Sequence, residues 1–546
     1  MRAAEVIVQS LKAHGVQRVY CVPGESYLAL LDALYNSGID VIVCRHEGGA
    51  GFMAVAEAKL TGKPAVCMVS RGPGATNASI AVHMAEQDAV PLILIIGQVA
   101  RDERTRAVFQ EVDYGQFFCG MAKGVYDIQD GSRLAELMPR AMRLAAEGVP
   151  GPVVLALPED MLHDDVAEAA PVVYPLAKAH TAPADIEQIQ DFISRAERPL
   201  VIAGGVMRGP AGAEALRRFS VAQRVPVAVT WKNQDVFDNG SELFAGHLNF
   251  GTLASQRQLL AEADLIIAVG TRLGDVATLG FTLPQAPAPA QTLIHIYPDG
   301  GPIGRVIRAD VGLVADPVSV LNGLAQSARV VSAVRERWVS ALHEVTSASQ
   351  KFVSPEPSDG VDFGVVTMAL AKLAPADAII TMDAGNMTTW VHRHWVMTPQ
   401  NILLGGIVGA MGFGVPAAVA AQLQEPSRMA ICFVGDGGAL MTGQELATAM
   451  AYGLSPKIVI SDNGIYGTIR SHQERHFPGR VSGTNMKSPD FAAWATSFGA
   501  EAFKLQLGDD VEAVVAAFLA AKGAAVLHVK SSKVALSAGG VLKELT

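Results

Sequence analysis

Two groups of residues about 390 positions apart have types and spacings that can do chemistry. One is Glu47, in Arg45-His46-Glu47-Gly48-Gly49-Ala50-Gly51; the other is Gly435-Asp436-Gly437-Gly438, followed twenty-seven residues after Asp436 by Asn463. Ala430-Ile431-Cys432-Phe433-Val434 is a short apolar run of strand type that stops at the Gly-Asp-Gly turn, and residues 444–452 have helical character. Such a turn exposes backbone N–H groups at a helix start, where a diphosphate can sit. Lys457-Ile458-Val459-Ile460-Ser461 ends in the same way at Asp462-Asn463-Gly464. Parallel strands ending side by side would bring the Asp436 carboxylate and the Asn463 amide oxygen to one sheet edge. A hard divalent cation such as Mg²⁺ takes about six oxygens, usually one or two from protein side chains and others from phosphate. Asp436, Asn463, the backbone carbonyl of Ile465, two diphosphate oxygens and a water would complete that shell. A lone Gly-Asp-Gly is an ordinary turn; the asparagine at this spacing, with strands before both halves, gives it weight.

The elements that must hold these groups are strands alternating with helices, the pattern of a parallel sheet covered on its faces. Candidate strands are residues 18–22, 41–45, 65–70, 92–96 and 153–157, then 199–205, 263–270 and 292–297, then 378–382, 429–434, 457–461 and 525–530. Two looser segments, 159–185 and 347–362, divide the chain into domains at 1–165, 186–330 and 360–546. The expected fold is α/β, with three doubly wound parallel-sheet domains. First and last blocks share a strand–turn–helix grammar that hints at duplication.

Half of the 546 residues are apolar, enough for several cores. A net charge of −10 without basic runs argues against nucleic acid. The apolar runs are too short to span a bilayer, and the first residues form an amphipathic helix closing at Gly15, not a signal peptide. Five cysteines (Cys21, Cys44, Cys67, Cys119, Cys432) without a C-x-x-C pair read as reduced core residues of a soluble cytoplasmic protein.

With these motifs stand Arg71-Gly72-Pro73-Gly74-Ala75-Thr76-Asn77, residues 91–98, Phe109-Gln110-Glu111-Val112-Asp113 and Gly409-Ala410-Met411-Gly412-Phe413-Gly414-Val415-Pro416-Ala417-Ala418. In that order, over essentially the whole length, the chain resembles the thiamine-diphosphate-dependent 2-oxo acid decarboxylase and acetolactate synthase superfamily. Acetolactate synthase is the nearest branch. The resemblance implies pyrimidine-binding, central and diphosphate-binding domains, and active sites built between two subunits of a homodimer or homotetramer.

It also implies roles. Glu47 would share a proton with N1′ of the aminopyrimidine, favouring the imino tautomer that forms the ylide. A carboxyl doing this near neutral pH needs a raised pKa, for which Val41, Ile42, Val43, Ala50, Phe52 and Met53 are suitable walls. Met411 would bend the cofactor from below, although plain packing is the commoner role of a methionine, and the Gly409 carbonyl would accept from the 4′-amino group. Asp436, Asn463 and Ile465 would hold Mg²⁺. Pro23, Asn386, Gly437, Gly438, Tyr466 and Gly467 would complete the cofactor site. The ylide adds to a 2-oxo acid, carbon dioxide leaves, and the enamine is protonated or attacks a second carbonyl.

The substrate pocket departs from the family pattern. Phe109 and Gln110 match its Phe and Gln, Gln110 as a catalytic residue. The family lysine of Pro-Lys-Asp is Glu159, the acceptor-binding arginine falls at Val276, and a tryptophan is replaced by His472. Losing a charge-assisted carboxylate contact costs roughly 1.5–3 kcal/mol, so acetolactate synthesis requires Arg272, Arg475 or Arg480 to substitute. No two histidines adjoin, unlike in pyruvate decarboxylases, and the pocket histidine of the benzoylformate branch is lacking, Ala89 standing near the matching position. His83, Gln87 and Gln473 are further substrate-facing candidates. Residues 467–490 read as a lid over the cofactor. FAD, structural in acetolactate synthases, is not favoured: residues 246–251 and His295-Ile296-Tyr297-Pro298-Asp299 match its contacts only in part. Donors other than a 2-oxo acid, such as an acyl-CoA, and a non-catalytic cofactor-binding relative stay open. A nicotinamide oxidoreductase would need a G-x-G-x-x-G turn after a strand, which is lacking.

Overall fold

The computed structural model describes residues 1–177, 179–326 and 331–539. The expected boundary at residue 330 and the end at 546 lie outside them. Three all-parallel six-stranded sheets follow one another along the chain, each flanked by helices.

The first holds β1 (Arg18–Cys21), β2 (Asp40–Val43), β3 (Ala65–Val69), β4 (Leu92–Gln98), β5 (Gly124–Asp127) and β6 (Pro152–Pro158), in the order β2-β1-β3-β4-β6-β5. The second holds β7 (Pro199–Ala203), β8 (Val227–Thr230), β9 (Phe244–Leu248), β10 (Leu265–Val269), β11 (Thr292–Tyr297) and β12 (Val311–Val314), in the order β12-β11-β10-β7-β8-β9. The third holds β13 (Ile379–Met382), β14 (Ile402–Gly405), β15 (Ala430–Gly435), β16 (Lys457–Asp462), β17 (Glu501–Leu505) and β18 (Ala525–Lys530), in the order β14-β13-β15-β16-β18-β17. Renumbered from its own first strand, the third sheet repeats the order of the first, in line with the grammar shared by the two blocks.

Central strands such as β3, β4, β7, β10 and β15 are apolar runs because both faces are covered by helices. The first and third sheets share one core within the chain. The helix Glu47–Thr61 packs along the helix Gly414–Gln424, and Phe52 meets Phe413 edge to face, with ring centroids 5.6 Å apart. Four of the five thiols are buried and free. Cys119 is exposed instead of in a core, because Phe118 before it points inward from the short helix Tyr114–Phe118.

The central sheet meets the third domain through a buried histidine. His392 Nε2 accepts from Trp231 Nε1 at 3.1 Å, while the Gln234 amide contacts Nδ1. Burial holds its pKa well below the usual value, and burial also pushes the neighbouring His247, ring centroid 6.1 Å away, down to about 3. The unfolded chain protonates both near pH 6.5, whereas the folded chain resists, so their contribution is full above that pH and is lost as pH falls below it. The melting temperature should therefore drop between about pH 7 and pH 5, with a shallower slope in His392→Gln, which cannot titrate there. An unchanged slope in the variant would remove His392 as a source.

Candidate functional site

In each sheet the chain turns to opposite sides of its first strand, and ligands of open parallel sheets bind at the carboxyl ends of strands at such a switch. In the third sheet the switch lies between β13 and β15. Asp383 follows β13, Asp436 follows β15 and Asn463 follows β16, so three polar side chains stand along one edge.

Asp436 is buried. Its Oδ1 accepts the N–H of Gly437 at 2.9 Å, and its Oδ2 accepts the Gly464 N–H at 2.8 Å and the Ser488 hydroxyl at 3.1 Å. These bonds tie the turn after β15 to the turn after β16. Burial, with the nearby Asp462 adding to it, raises the Asp436 pKa. Although burial opposes it, Asp462 is held low by His528 Nε2 at 2.8 Å and by Lys530. Asn463 Oδ1 accepts the Ile465 N–H at 3.2 Å.

Around this edge the structure gathers most of the residues expected at the cofactor. A side chain on Gly437 would come within 2.9 Å of Tyr466 and 3.2 Å of Met411, so the two side chains close over that glycine. Gly467 lies beside the amides of Asn463 and Asn386, and Asn386 Oδ1 accepts from Thr468 Oγ1 at 2.8 Å. Gly409 stands exposed in the turn before the helix Gly414–Gln424, at φ 70°. Residues 467–490 form a helix, Gly467–His476, and a return segment tied back by Tyr466 N to Thr484 O at 2.8 Å and Gln473 Nε2 to Ser482 O at 2.6 Å.

Asp383 was not singled out in the sequence. Wholly buried, it accepts N–H bonds from Ala384, Gly412 and Gly414 at 2.7–2.9 Å and so fixes the turn that carries Met411. Its signal was available: it follows β13 as Asp436 follows β15. Ser488 left no comparable mark.

Glu47 lies at the matching end of the first sheet, as the first residue of the helix Glu47–Thr61. It is half-buried, and its Oε2 accepts from Asn77 Nδ2 at 2.9 Å, with Gly74 alongside. Of the expected apolar walls, Ile42, Ala50, Phe52 and Met53 are buried in the core, and Val41 and Val43 are half-buried. Pro23 is exposed after β1. Gln110 is held at φ 64° against Gly72, and Phe109 is 77% exposed. Among the described residues no hydrogen bond or ion pair joins Glu47 to the third-sheet group.

The other candidates are dispersed. His472 is exposed and stacks on His476, His83 is exposed, and Gln87 is turned onto Glu86. Glu159 pairs with Arg71 at 2.6 Å. Arg272 is engaged by Glu86 at 3.1 Å and by Tyr297, while Arg475 and Arg480 stand in solvent. At the central switch point, between β7 and β10, lies a cavity of about 480 Å³ lined by Gly205, Trp231, Arg272, Val276 and Tyr297, with Lys59 and Asp88 from the first domain. Of the segments compared with flavin contacts, Tyr297 lines it and residues 246–251 do not.

The donor set suits a diphosphate and a hard cation. One carboxylate, one amide and one carbonyl are oxygen ligands, and the buried Asp436 beside Asp462 is an anionic site that a cation would relieve. Among the described residues no three His, Cys, Asp or Glu side chains converge as a metal cage, so such a cation would depend on phosphate oxygens.

Comparison with known proteins matches each of the three domains. Residues 1–117 match the N-terminal TPP binding domain of thiamine pyrophosphate enzymes, 186–324 their central domain and 383–529 their C-terminal TPP binding domain. The chain is 31% identical over 532 residues to the acetolactate synthase isozyme 2 large subunit of Escherichia coli, covering 97% of this chain and 95% of that protein. It is 34% identical over 539 residues to the isozyme 1 large subunit of the same organism, covering 96% and 93%. The acetolactate synthase large subunit of Lactococcus lactis is 30% identical over 522 residues, covering 94% and 90%. With matched domains along the chain and relatives aligned over nearly all of it, the protein belongs to the thiamine-diphosphate-dependent enzymes, in their acetolactate-synthase-like branch.

Proposed function

We propose that the protein uses thiamine diphosphate with Mg²⁺ to decarboxylate a 2-oxo acid in the cytoplasm, and that two copies of the chain build each site. The observation that carries the second part is the separation of two groups. Asp436, Asn463, Met411 and Tyr466 gather at one sheet edge, while Glu47 and Asn77 face outward at another. Apolar side chains flank both groups on the surface: Ile80 on the helix bearing Asn77, and Leu440 and Met441, 48% and 45% exposed, on the helix that starts at Asp436. A second chain covering them would bring its Glu47 to this chain's Asp436. A dimer is the smallest such assembly, and a dimer of dimers is compatible with it.

Bound thiamine diphosphate supplies the carbon nucleophile and the electron sink. In this reading Asp436, Asn463 and the Ile465 carbonyl hold the cation, and Gly437, Gly438, Tyr466, Gly467, Asn386 and Pro23 line the cofactor. Glu47 would hold a proton at N1′, the Gly409 carbonyl would accept from the 4′-amino group, and Met411 would pack beneath the cofactor. Phe109, Gln110 and His472 face the substrate.

The reaction's ending is read from the cations. Arg272 is committed to Glu86 and Tyr297, and Arg475 and Arg480 are solvated, so none of these three cations is held ready for the carboxylate of a second 2-oxo acid. The acceptor is then a proton or an aldehyde. Proton NMR of the protein with thiamine diphosphate, Mg²⁺ and a panel of 2-oxo acids, with and without aldehydes, should show aldehyde or hydroxyketone products. Acetolactate from pyruvate alone would overturn the ending. An inert panel would overturn the 2-oxo acid reading and favour an acyl-CoA donor or a non-catalytic relative. The purified sample is expected to be colourless; visible flavin absorbance would overturn the reading of the central domain as free of FAD.

A further inference from the structure

We propose that Glu445, with Tyr452, is the positioning device for Glu47; this rests on the role proposed above for Glu47. Glu445 belongs to the third domain, nine residues after Asp436, yet its contacts are in the first. The side chain is wholly buried. Its Oε1 accepts the backbone N–H groups of Arg45 and His46, each at 3.0 Å, and its Oε2 accepts the Arg45 N–H at 3.2 Å and the Thr448 hydroxyl at 2.6 Å. Arg45 and His46 immediately precede Glu47. His46 caps the helix Glu47–Thr61, its Nδ1 accepting the Gly48 N–H at 3.0 Å. Gly49 lies against the same carboxylate, so closely that any side chain there would strike it.

Tyr452 adds a second grip. β2 is an edge strand whose outer side has no neighbouring strand among the described residues, leaving N–H and C=O groups to be satisfied otherwise. The Tyr452 hydroxyl accepts the Val43 N–H at 2.8 Å and donates to the Val41 carbonyl at 3.0 Å. The segment from Glu445 to Tyr452 therefore holds four residues leading into Glu47: Val41, Val43, Arg45 and His46. A buried carboxylate accepting several N–H and O–H bonds is a strong, directional anchor, and a shift of about 1 Å in a reacting group can cost about 10²-fold in rate. The glutamine of Glu445→Gln has the same shape but turns an NH₂ toward one set of donors, so the anchor loosens without leaving a cavity.

Two measurements test this. In the cofactor-free protein, amide hydrogen exchange over residues 41–49 should quicken in Glu445→Gln and, less strongly, in Tyr452→Phe, with exchange around Asp436 unchanged. Unaltered protection of 41–49 in both variants would overturn the proposal, and Tyr452→Phe decides it if Glu445→Gln does not fold. The second pairs Glu47→Gln chains with Asp436→Ala chains, whose mixed dimers keep one site with an intact Glu47 and an intact Asp436 from different chains. The restored activity should fall about 10²-fold when Glu445→Gln sits in the chain with the intact Glu47, and far less when it sits in the other. The reverse pattern would assign Glu445 to the Asp436 turn and overturn the proposal. No restored activity from the parent pair would instead count against the two-chain site, leaving hydrogen exchange to decide the role of Glu445.

Discussion

Glu47→Gln is expected to bind thiamine diphosphate and Mg²⁺ as the parent does and to turn over at least ~10²-fold more slowly, the usual scale for a positioned acid or base. The substitution changes neither shape nor length. Glu47 packs beside Gly74 and takes its hydrogen bond from Asn77 Nδ2 at 2.9 Å, which the glutamine oxygen can also accept. What the amide cannot do is carry the proton that Glu47 is proposed to hold at N1′. The diphosphate and the cation are held by other residues in the proposed site, so affinity and rate should separate. Calorimetric titration of the cofactor and steady-state turnover check the two halves. Activity equal to the parent would remove Glu47 from the chemistry, and loss of binding with loss of activity would make it a binding residue.

What the sequence disclosed, and what it did not, follows from where each kind of information is written. Most central strands were legible because burial on both faces demands unbroken apolar runs, as in Leu92-Ile93-Leu94-Ile95-Ile96 and Ala430-Ile431-Cys432-Phe433-Val434. β5, β9, β12 and β17 escaped notice because they are sheet edges, which tolerate polar and half-exposed residues such as those of Gly124–Asp127 and Glu501–Leu505, and β8, although buried, escaped because Val227-Ala228-Val229-Thr230 is too short an apolar run to stand out. The short β14 was masked by the glycine-rich turn that follows it. Asp436, Asn463 and Glu47 could be singled out because each follows a strand within a motif. Asp383, Glu445 and Ser488 could not be found by side-chain pairing rules: their partners are largely backbone N–H groups or a distant carboxylate, which impose no residue type on the far side. Asp383 would have yielded to the rule used for Asp436, applied to every strand end. Glu445 would not, since its contacts lie some 400 residues away in another domain.

The same distinction between local motif and distant partner governs the second large effect. Asp436→Ala is expected to abolish Mg²⁺-dependent binding of thiamine diphosphate while leaving the cofactor-free protein as stable as the parent, or more so. The carboxylate is buried and lies near Asp462. Without a cation such an arrangement costs stability, because desolvation and like-charge repulsion are repaid only by Gly437, Gly464 and Ser488. Removing it relieves the first two and sacrifices hydrogen bonds that water can replace at the partly open turns of Gly464 and Ser488. In the proposed site the balance reverses with the cation, since the variant lacks the carboxylate proposed to hold it. Binding at a ligand concentration about 100 times Kd stabilises the folded state by about 2.7 kcal/mol, and this increment should vanish in the variant. Melting curves with and without thiamine diphosphate and Mg²⁺ separate the two effects. A parent-sized shift in Asp436→Ala would mean that the cation, if it binds, is held elsewhere; a lowered melting temperature without ligand would make Asp436 chiefly a structural tie between the turns after β15 and β16.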